Sequence, residues 1–202
     1  MTTATITKKQ LVDLGADKGL ISRFIEQTGN TDQAVNVLSL ICGKNTTADL
    51  LWFAGKTLPK IKIVQFAVEC AESVSHLNNN PSDNAAIQSA NDWIRKPCEE
   101  NRLNARNTAN YAAYAASNAL NAAYPAAFAN AANAAYASYY AAKAAYDANA
   151  ANAAYNAAYY AANAANAAYD ANADAFDPNY AAYAAYVASN RVVQASLRKL
   201  FS

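Results

Sequence analysis

The chain has 202 residues, enough for one domain or one domain with a small appendage, and a formal net charge of +1. Charged residues make up 15% of it, against about 25% in an ordinary soluble domain. That balance argues against a nucleic-acid-binding surface or a polybasic membrane anchor, and a single histidine withholds the usual parts of a zinc centre or a serine triad.

Composition divides the chain. All five glycines fall at or before Gly55, and all fourteen tyrosines lie between Tyr111 and Tyr186. From Asn107 to Asn190 the only charged residues are Lys143, Asp147, Asp170, Asp174 and Asp177; alanine, asparagine and tyrosine supply nearly everything else. The opening MTTATITKKQ lacks the apolar region of a signal peptide. The uncharged run from Asn107 to Ala142 carries too many Asn and Tyr residues for a membrane span. Cys42, Cys70 and Cys98 form no C-x-x-C pair, which suits reduced thiols. A cytoplasmic protein is the expectation.

In chain order, residues 1–45 read as a headpiece of three short helices. Leu11, Val12 and Leu14 precede Gly15, and Leu20, Ile21, Phe24 and Ile25 share a face that stops at Gly29-Asn30. Thr31 or Asp32 is placed to cap a third helix, with Ala34, Val35, Val37, Leu38 and Ile41 pointing inward until Gly43. Through Leu14-Gly15 and Thr28-Gly29-Asn30, then Ala34-Val35 and Leu38, this segment resembles a ubiquitin-associated three-helix unit. Ala16 stands where that unit carries an aromatic residue.

Residues 46–98 read as amphipathic helices. Thr47 or Asp49 caps the one carrying Leu50 to Phe53, and Pro59 precedes the next, with Ile63, Phe66, Ala67, Cys70, Ala71 and Val74 on its inner face. Glu69 and Glu72 are placed outward. After the NNNPSDN loop, Ser82 or Asp83 starts a helix through Ile87, Ala90 and Trp93 that ends before Pro97.

Residues 99–202 form the Ala/Asn/Tyr tract, in which NAANAAY recurs from Asn130, Asn149 and Asn163. Spacings of three and four align the large side chains on helical stripes, and alanine has the highest helix propensity. Each alanine buries little area, so tyrosine must supply much of the association, with neighbouring Asn amides as partners for its hydroxyl. Breaks at Pro125, at Asp147 to Asn149 and at Asp177-Pro178 predict antiparallel helices near 99–123, 126–147, 149–176 and 179–200. The fold expected is all-α: a short-helix headpiece followed by an Ala/Tyr/Asn-rich antiparallel bundle.

The order of features carries a second resemblance. Leu14-Gly15-Ala16 is followed by Asp49-Leu50-Leu51-Trp52 and by Phe66-Ala67-Val68-Glu69-Cys70-Ala71. Ala86-Ile87, Ala90 and Trp93 then lead into the Ala-Ala-Tyr tract. This pattern resembles an alanine-rich immunity-protein family of bacteria and their phages. The resemblance implies a small intracellular helical protein of bacterial conflict and brings no catalytic motif.

Candidate sites are few. Arg102 and Arg106 are i, i+4 neighbours able to hold a phosphate or carboxylate, and Tyr111 and Tyr114 on the same helix offer rings for stacking. Salt bridges from these arginines to Glu99 or Asp92 are the competing reading. Asp170, Asp174 and Asp177, at i, i+4 and i+7, would line one face as cation ligands, or as solvated or capping acids. No phosphate-loop, dinucleotide, nucleophile-elbow or HExxH motif is present, and no metal or other cofactor is implied. These readings lead to a non-enzymatic binding protein of immunity or counter-immunity type, acting by occluding a protein partner. The alternative is a sponge for a small nucleotide-type ligand. An ice-binding or purely structural helical protein is a lesser alternative. A homo-oligomer is expected, with no nucleic acid and no membrane as partner.

Overall fold

The computed structural model describes residues 4–29, 32–77, 80–121, 125–173 and 191–202. Two short helices, α1 (Lys8–Asp13) and α2 (Lys18–Thr28), open the chain. Thr7 and Gln10 cap α1 reciprocally: the Gln10 amide donates to Thr7 Oγ1 at 3.1 Å, and the Thr7 amide donates to Gln10 Oε1 at 2.8 Å. Asp17 caps α2, and Gly29 ends it in the left-handed region at φ 75°.

The third headpiece helix does not form. Val35–Asn36 is instead a two-residue strand, β2, antiparallel to β1 (Thr5–Ile6), and Val37–Leu40 is a 3₁₀ turn. Local competition explains the change. Asn36 Oδ1 accepts from the Leu38 amide at 2.9 Å, and the Ala4 carbonyl takes the Val37 amide at 2.9 Å. These bonds use donors that a helix would need, and β-branched Val35 and Val37 favour the extended start. Ala34 is exposed rather than inward. The three-helix unit suggested by the ubiquitin-associated resemblance is therefore two helices, a strand pair and a turn.

Five longer helices follow: α3 (Thr47–Thr57), α4 (Lys60–Val74), α5 (Pro81–Arg95), α6 (Glu99–Asn121) and α7 (Pro125–Tyr146). The last two are α8 (Ala150–Ala173) and α9, over residues 191–200. Their starts obey capping rules, one to three residues before the expected positions: Thr46 caps α3, and Asn80 caps α5 with Pro81 in its first turn. The Asn149 side chain caps α8 through the Asn152 amide at 3.1 Å. The predicted breaks at Pro125 and Asp147–Asn149 coincide with observed helix ends; Asp177-Pro178 and residues 179–190 lie outside the described residues.

The larger of two hydrophobic clusters among the described residues runs from the headpiece to α9; the smaller joins Ala86, Ala109, Ala112 and Ala142. Leu11, Leu20, Phe24 and Val37 of the headpiece join Leu51, Val64 and Phe66 of α3 and α4, then Ala154, Ala157 and Ala161 of α8 and Leu197 of α9. Phe201 stacks on Phe53 with centroids 6.3 Å apart, pinning the end of the chain to α3. Along the seams of α7 with α6 and with α8 the filling is almost all alanine, Ala109, Ala112 and Ala142 in the first and Ala141, Ala145, Ala157 and Ala161 in the second. Methyl-sized side chains let helix axes approach to the close end of the usual range of about 8–10 Å. Gly55 carries this further. A Cβ at that position would stand 2.7 Å from the Ala151 Cβ of α8, well inside an ordinary carbon contact of about 3.5–4.0 Å.

A part-buried ion pair joins the headpiece to the bundle. Asp49, 7% exposed, receives Arg23 Nε at 2.7 Å and Arg23 Nη2 at 2.6 Å, and its Oδ2 also accepts the Thr46 amide at 2.8 Å. Burial works to raise the Asp49 carboxyl, but the bonds from Arg23 and Thr46 hold it below the ordinary carboxylate value.

Two stability tests follow from these contacts. Gly55→Ala should lower Tm by a few degrees, because overpacking of about 1–3 kcal/mol outweighs a helix-propensity gain of about 0.5–1 kcal/mol; thermal unfolding by circular dichroism reads the sign. Arg23→Gln should cost about 2 kcal/mol at neutral pH, the modest end for a charged hydrogen bond because Arg23 is a third exposed. A depressed carboxyl gives stability present above its unfolded value and lost as pH falls through its folded one. The gap between wild type and R23Q should hold above about pH 4 and close below it, in denaturant titrations across that range.

Candidate functional site

The sequence-predicted residues of α6 do not converge. Arg102 is engaged by Glu99 in a two-pronged pair, Nε to Oε2 at 2.6 Å and Nη2 to Oε1 at 2.5 Å, as the salt-bridge reading had it. At 100° per residue, Tyr111 lies on the opposite side of the helix from Arg102, about 13 Å further along the axis. Tyr111 and Tyr114 are 69% and 70% exposed and stand apart from the other described aromatic rings. Arg106 is exposed. Of the aspartates, Asp170 falls within α8, while its side chain and the whole of Asp174 and Asp177 lie outside the described residues. Among the described residues no group of three acidic, histidine or cysteine side chains could hold a metal. His76 is exposed in a 3₁₀ turn, Ser75–Leu77.

What the fold does assemble is a ladder of tyrosines across α7 and α8. Tyr136 lies ten residues before the end of α7, and Tyr160 lies ten residues after the start of α8. The antiparallel pairing therefore brings them level, with centroids 4.9 Å apart. Tyr160 also stacks on Tyr140 at 5.4 Å, only 9° from parallel, and Tyr139 meets Tyr140 edge-on at 4.6 Å. In the other direction Tyr159 meets Tyr160 edge-on at 5.3 Å, and Tyr155 lies 6.5 Å from Tyr159. Lys143 Nζ sits 5.6 Å and 5.8 Å from the Tyr139 and Tyr140 ring centres, close to Asp147 at 3.9 Å.

The cause is steric. The inter-helix seam is one methyl deep, so a ring cannot enter it and must lie along its rim, where offset and edge-on contacts are favourable. The expected Tyr–Asn lattice gives way to ring-on-ring contact. In the described part of α8 asparagine serves the backbone instead, as Asn149 does at its cap and as Asn156 Nδ2 does in donating to the Asn152 carbonyl at 3.0 Å. Burial and neighbouring phenols raise the Tyr140 and Tyr160 hydroxyls, so these two central rings stay uncharged at physiological pH.

One end of the ladder opens into a cleft of about 560 Å³ between the 41–48 loop, α8 and α9. Tyr155, Ala158 and Tyr159 form one wall, Val193, Gln194 and Leu197 a second, and Cys42, Asn45, Thr46 and Thr47 the rim. Gln27 of α2 fixes that rim from behind. Its Oε1 accepts from the Lys44 amide at 2.8 Å and from Asn45 Nδ2 at 2.9 Å, while its Nε2 donates to the Ser39 carbonyl at 2.9 Å. Gly43 leaves the room, since a Cβ there would fall 2.0 Å from Gln27 Nε2. Cys42, exposed, adopts φ 70°, a conformation rarely taken by a residue with a side chain.

A second hollow, about 400 Å³, lies between α4, α5 and α9. Its acids are engaged: Lys199 meets Glu69 Oε1 at 3.4 Å, leaving Glu69 Oε2 buried without a hydrogen-bond partner, and Asn91 Nδ2 donates to Glu72 at 3.1 Å. Glu69 is thus half-buried rather than outward. Cys70, fully buried beneath it, has its thiol pushed up to about 12 by burial, and a hydrogen bond with Ser196 only partly offsets this.

Sequence reasoning missed Asp83 as an acid out of its usual range. It is 2% exposed in the first turn of α5, where burial lifts its carboxyl to about 7, with Ser82 pulling it back. An acid raised in the folded state binds more protons there than when unfolded, so stability should fall as pH rises from about 4 to 7 and level off above. Asp83→Asn should flatten that slope in urea titrations run across the window.

No helix among the described residues is long and apolar enough to cross a membrane. No curated protein and no solved structure matches the chain. Residues 37–188, which contain the cleft rim and every rung of the tyrosine ladder, match the family model DUF6931, and the chain belongs to that family of unknown function.

Proposed function

We propose that this is a non-enzymatic, cytoplasmic binding protein of immunity or counter-immunity type, which acts by occluding a protein partner with the tyrosine face of α7 and α8. The observation that supports this reading is the continuous run of Tyr139, Tyr140, Tyr136, Tyr160 and Tyr159 along the rim of an alanine-packed pair of helices. Tyrosine is a favoured interface residue because it offers a large, rigid, amphipathic surface with few rotatable bonds to freeze. The rings here hold one another, which lowers the ordering cost of binding further. With Lys143 beside Asp147 the face has almost no net charge, which favours an uncharged, aromatic or aliphatic partner groove over a basic or acidic one. Self-association into a homo-oligomer is the same chemistry with a copy as partner.

The test is capture of a stoichiometric host or phage protein whose own activity falls when this chain is added. Tyr136→Ala with Tyr139→Ala should weaken that complex by about 30-fold, the equivalent of one interface hot spot of about 2 kcal/mol. The reading is abandoned if no partner is inhibited, or if the double variant captures and inhibits as well as wild type. Light scattering that shows only monomer at high concentration would remove the homo-oligomer.

A further inference from the structure

We infer that the cleft between the 41–48 loop, α8 and α9 is a binding site for an uncharged planar heterocycle bearing ring carbonyl groups, the nucleobase or nucleoside class. This goes beyond occlusion of a protein, because it depends on the Tyr155–Tyr159 end of the ladder that opens into the cleft and not on Tyr136 and Tyr139. At about 560 Å³ the cleft falls within the usual range for small-molecule sites.

Its lining is selective. Tyr159 is half exposed and Tyr155 lies beside it, so a flat ring placed there extends the ladder by one rung. Stacking on tyrosine suits any π-face. Thr47 and Gln194 bring side chains that both donate and accept hydrogen bonds to the cleft, while Asn45 Nδ2 is held by Gln27 and Thr46 Oγ1 by the Asp49 amide. Thr47 and Ala48 are the first residues of α3, and amides in a first turn have no acceptor within their own helix. These donors favour carbonyl oxygens on the ring edge. A purely apolar guest would leave them unpaired.

Charge decides against phosphate. No charged side chain stands among the described residues that line the cleft. A phosphate or carboxylate would shed water there without a cation to replace it. The Gln27 clamp holds the rim in place before any ligand arrives, so little ordering cost remains to be met on binding.

Cys42 provides a reporter at the mouth. It is exposed, whereas Cys70 is fully buried and Cys98 can be removed as Cys98→Ser. In the full chain carrying C98S, alkylation of Cys42 by iodoacetamide should slow about tenfold when uridine or inosine is added at ten times its Kd. UMP should protect more weakly than uridine, and the sugar trehalose should not protect. Tyr159→Ala should abolish protection, while Tyr111→Ala on α6 should leave it unchanged. Saturation-transfer NMR on the nucleoside protons checks the same binding without the thiol. The inference is overturned if neither nucleoside protects or shows transfer at millimolar concentration, if UMP protects better than uridine, or if trehalose protects equally. The Tyr136/Tyr139 double variant keeps the cleft walls, so failure here and failure of partner occlusion register in different proteins.

Discussion

The separation of the alanine-packed helices governs the rest of this molecule. Burying a methyl group contributes about 0.8 kcal/mol, so no single alanine holds the bundle together. Stability comes from many such contacts at native packing density, with backbones close enough that even Gly55 has no room for a methyl against Ala151. A core one methyl deep has no place for a ring. The tyrosines are displaced to the rim of the seam, and the antiparallel register of α7 and α8 lines them up there. The aromatic face and the alanine core are two consequences of one spacing.

The N-terminal part solves the opposite problem. Its core is ordinary, with Leu11, Leu20, Phe24, Leu51 and Phe66, and it supplies the bulk that alanine cannot. It also supplies polar anchors. Arg23 and Gln27 lie one helical turn apart on α2: the first fixes the start of α3 through Asp49, the second fixes the loop just before it. The cleft therefore has one wall from the alanine tract and a rim set by the headpiece. Neither half of the chain would make it alone.

Much of the bundle was legible in the sequence because its signals are local. Pro125, Asn149 and the Pro59 and Pro97 boundaries act within a turn or two, and the observed helices begin and end within a few residues of them. The missing third headpiece helix shows where local reading fails. Ala34 to Ile41 has helical spacing, but Asn36 and the strand at Thr5–Ile6, some thirty residues away, compete for the same backbone donors. The candidate residues of α6 show a second limit of local reading: nine residues at 100° each put Arg102 and Tyr111 on opposite sides of the helix. The ladder was only half visible: the stripe on α7 follows from spacing, while its pairing with Tyr160 depends on the register of two helices, which the connection from Tyr146 to Ala150 sets.

Repetition then acquires a physical meaning beyond low complexity. Each NAANAAY copy ends in a ring and sets methyls before it, so the same heptad that lets two helices close on each other also leaves a ring at the edge of the contact. Tyr136 and Tyr155 each end such a heptad, yet they do different work. Tyr136 stacks across the α7–α8 seam, and Tyr155 lines the cleft beneath the headpiece rim. One repeat gives two environments because Tyr155 faces the non-repetitive segment around Cys42 to Thr47, whereas Tyr136 faces the neighbouring helix of the tract. Specificity in this fold therefore resides where the uniform tract abuts the irregular one, at Gly55 against Ala151 and at Cys42 to Thr47 against Tyr155 and Tyr159.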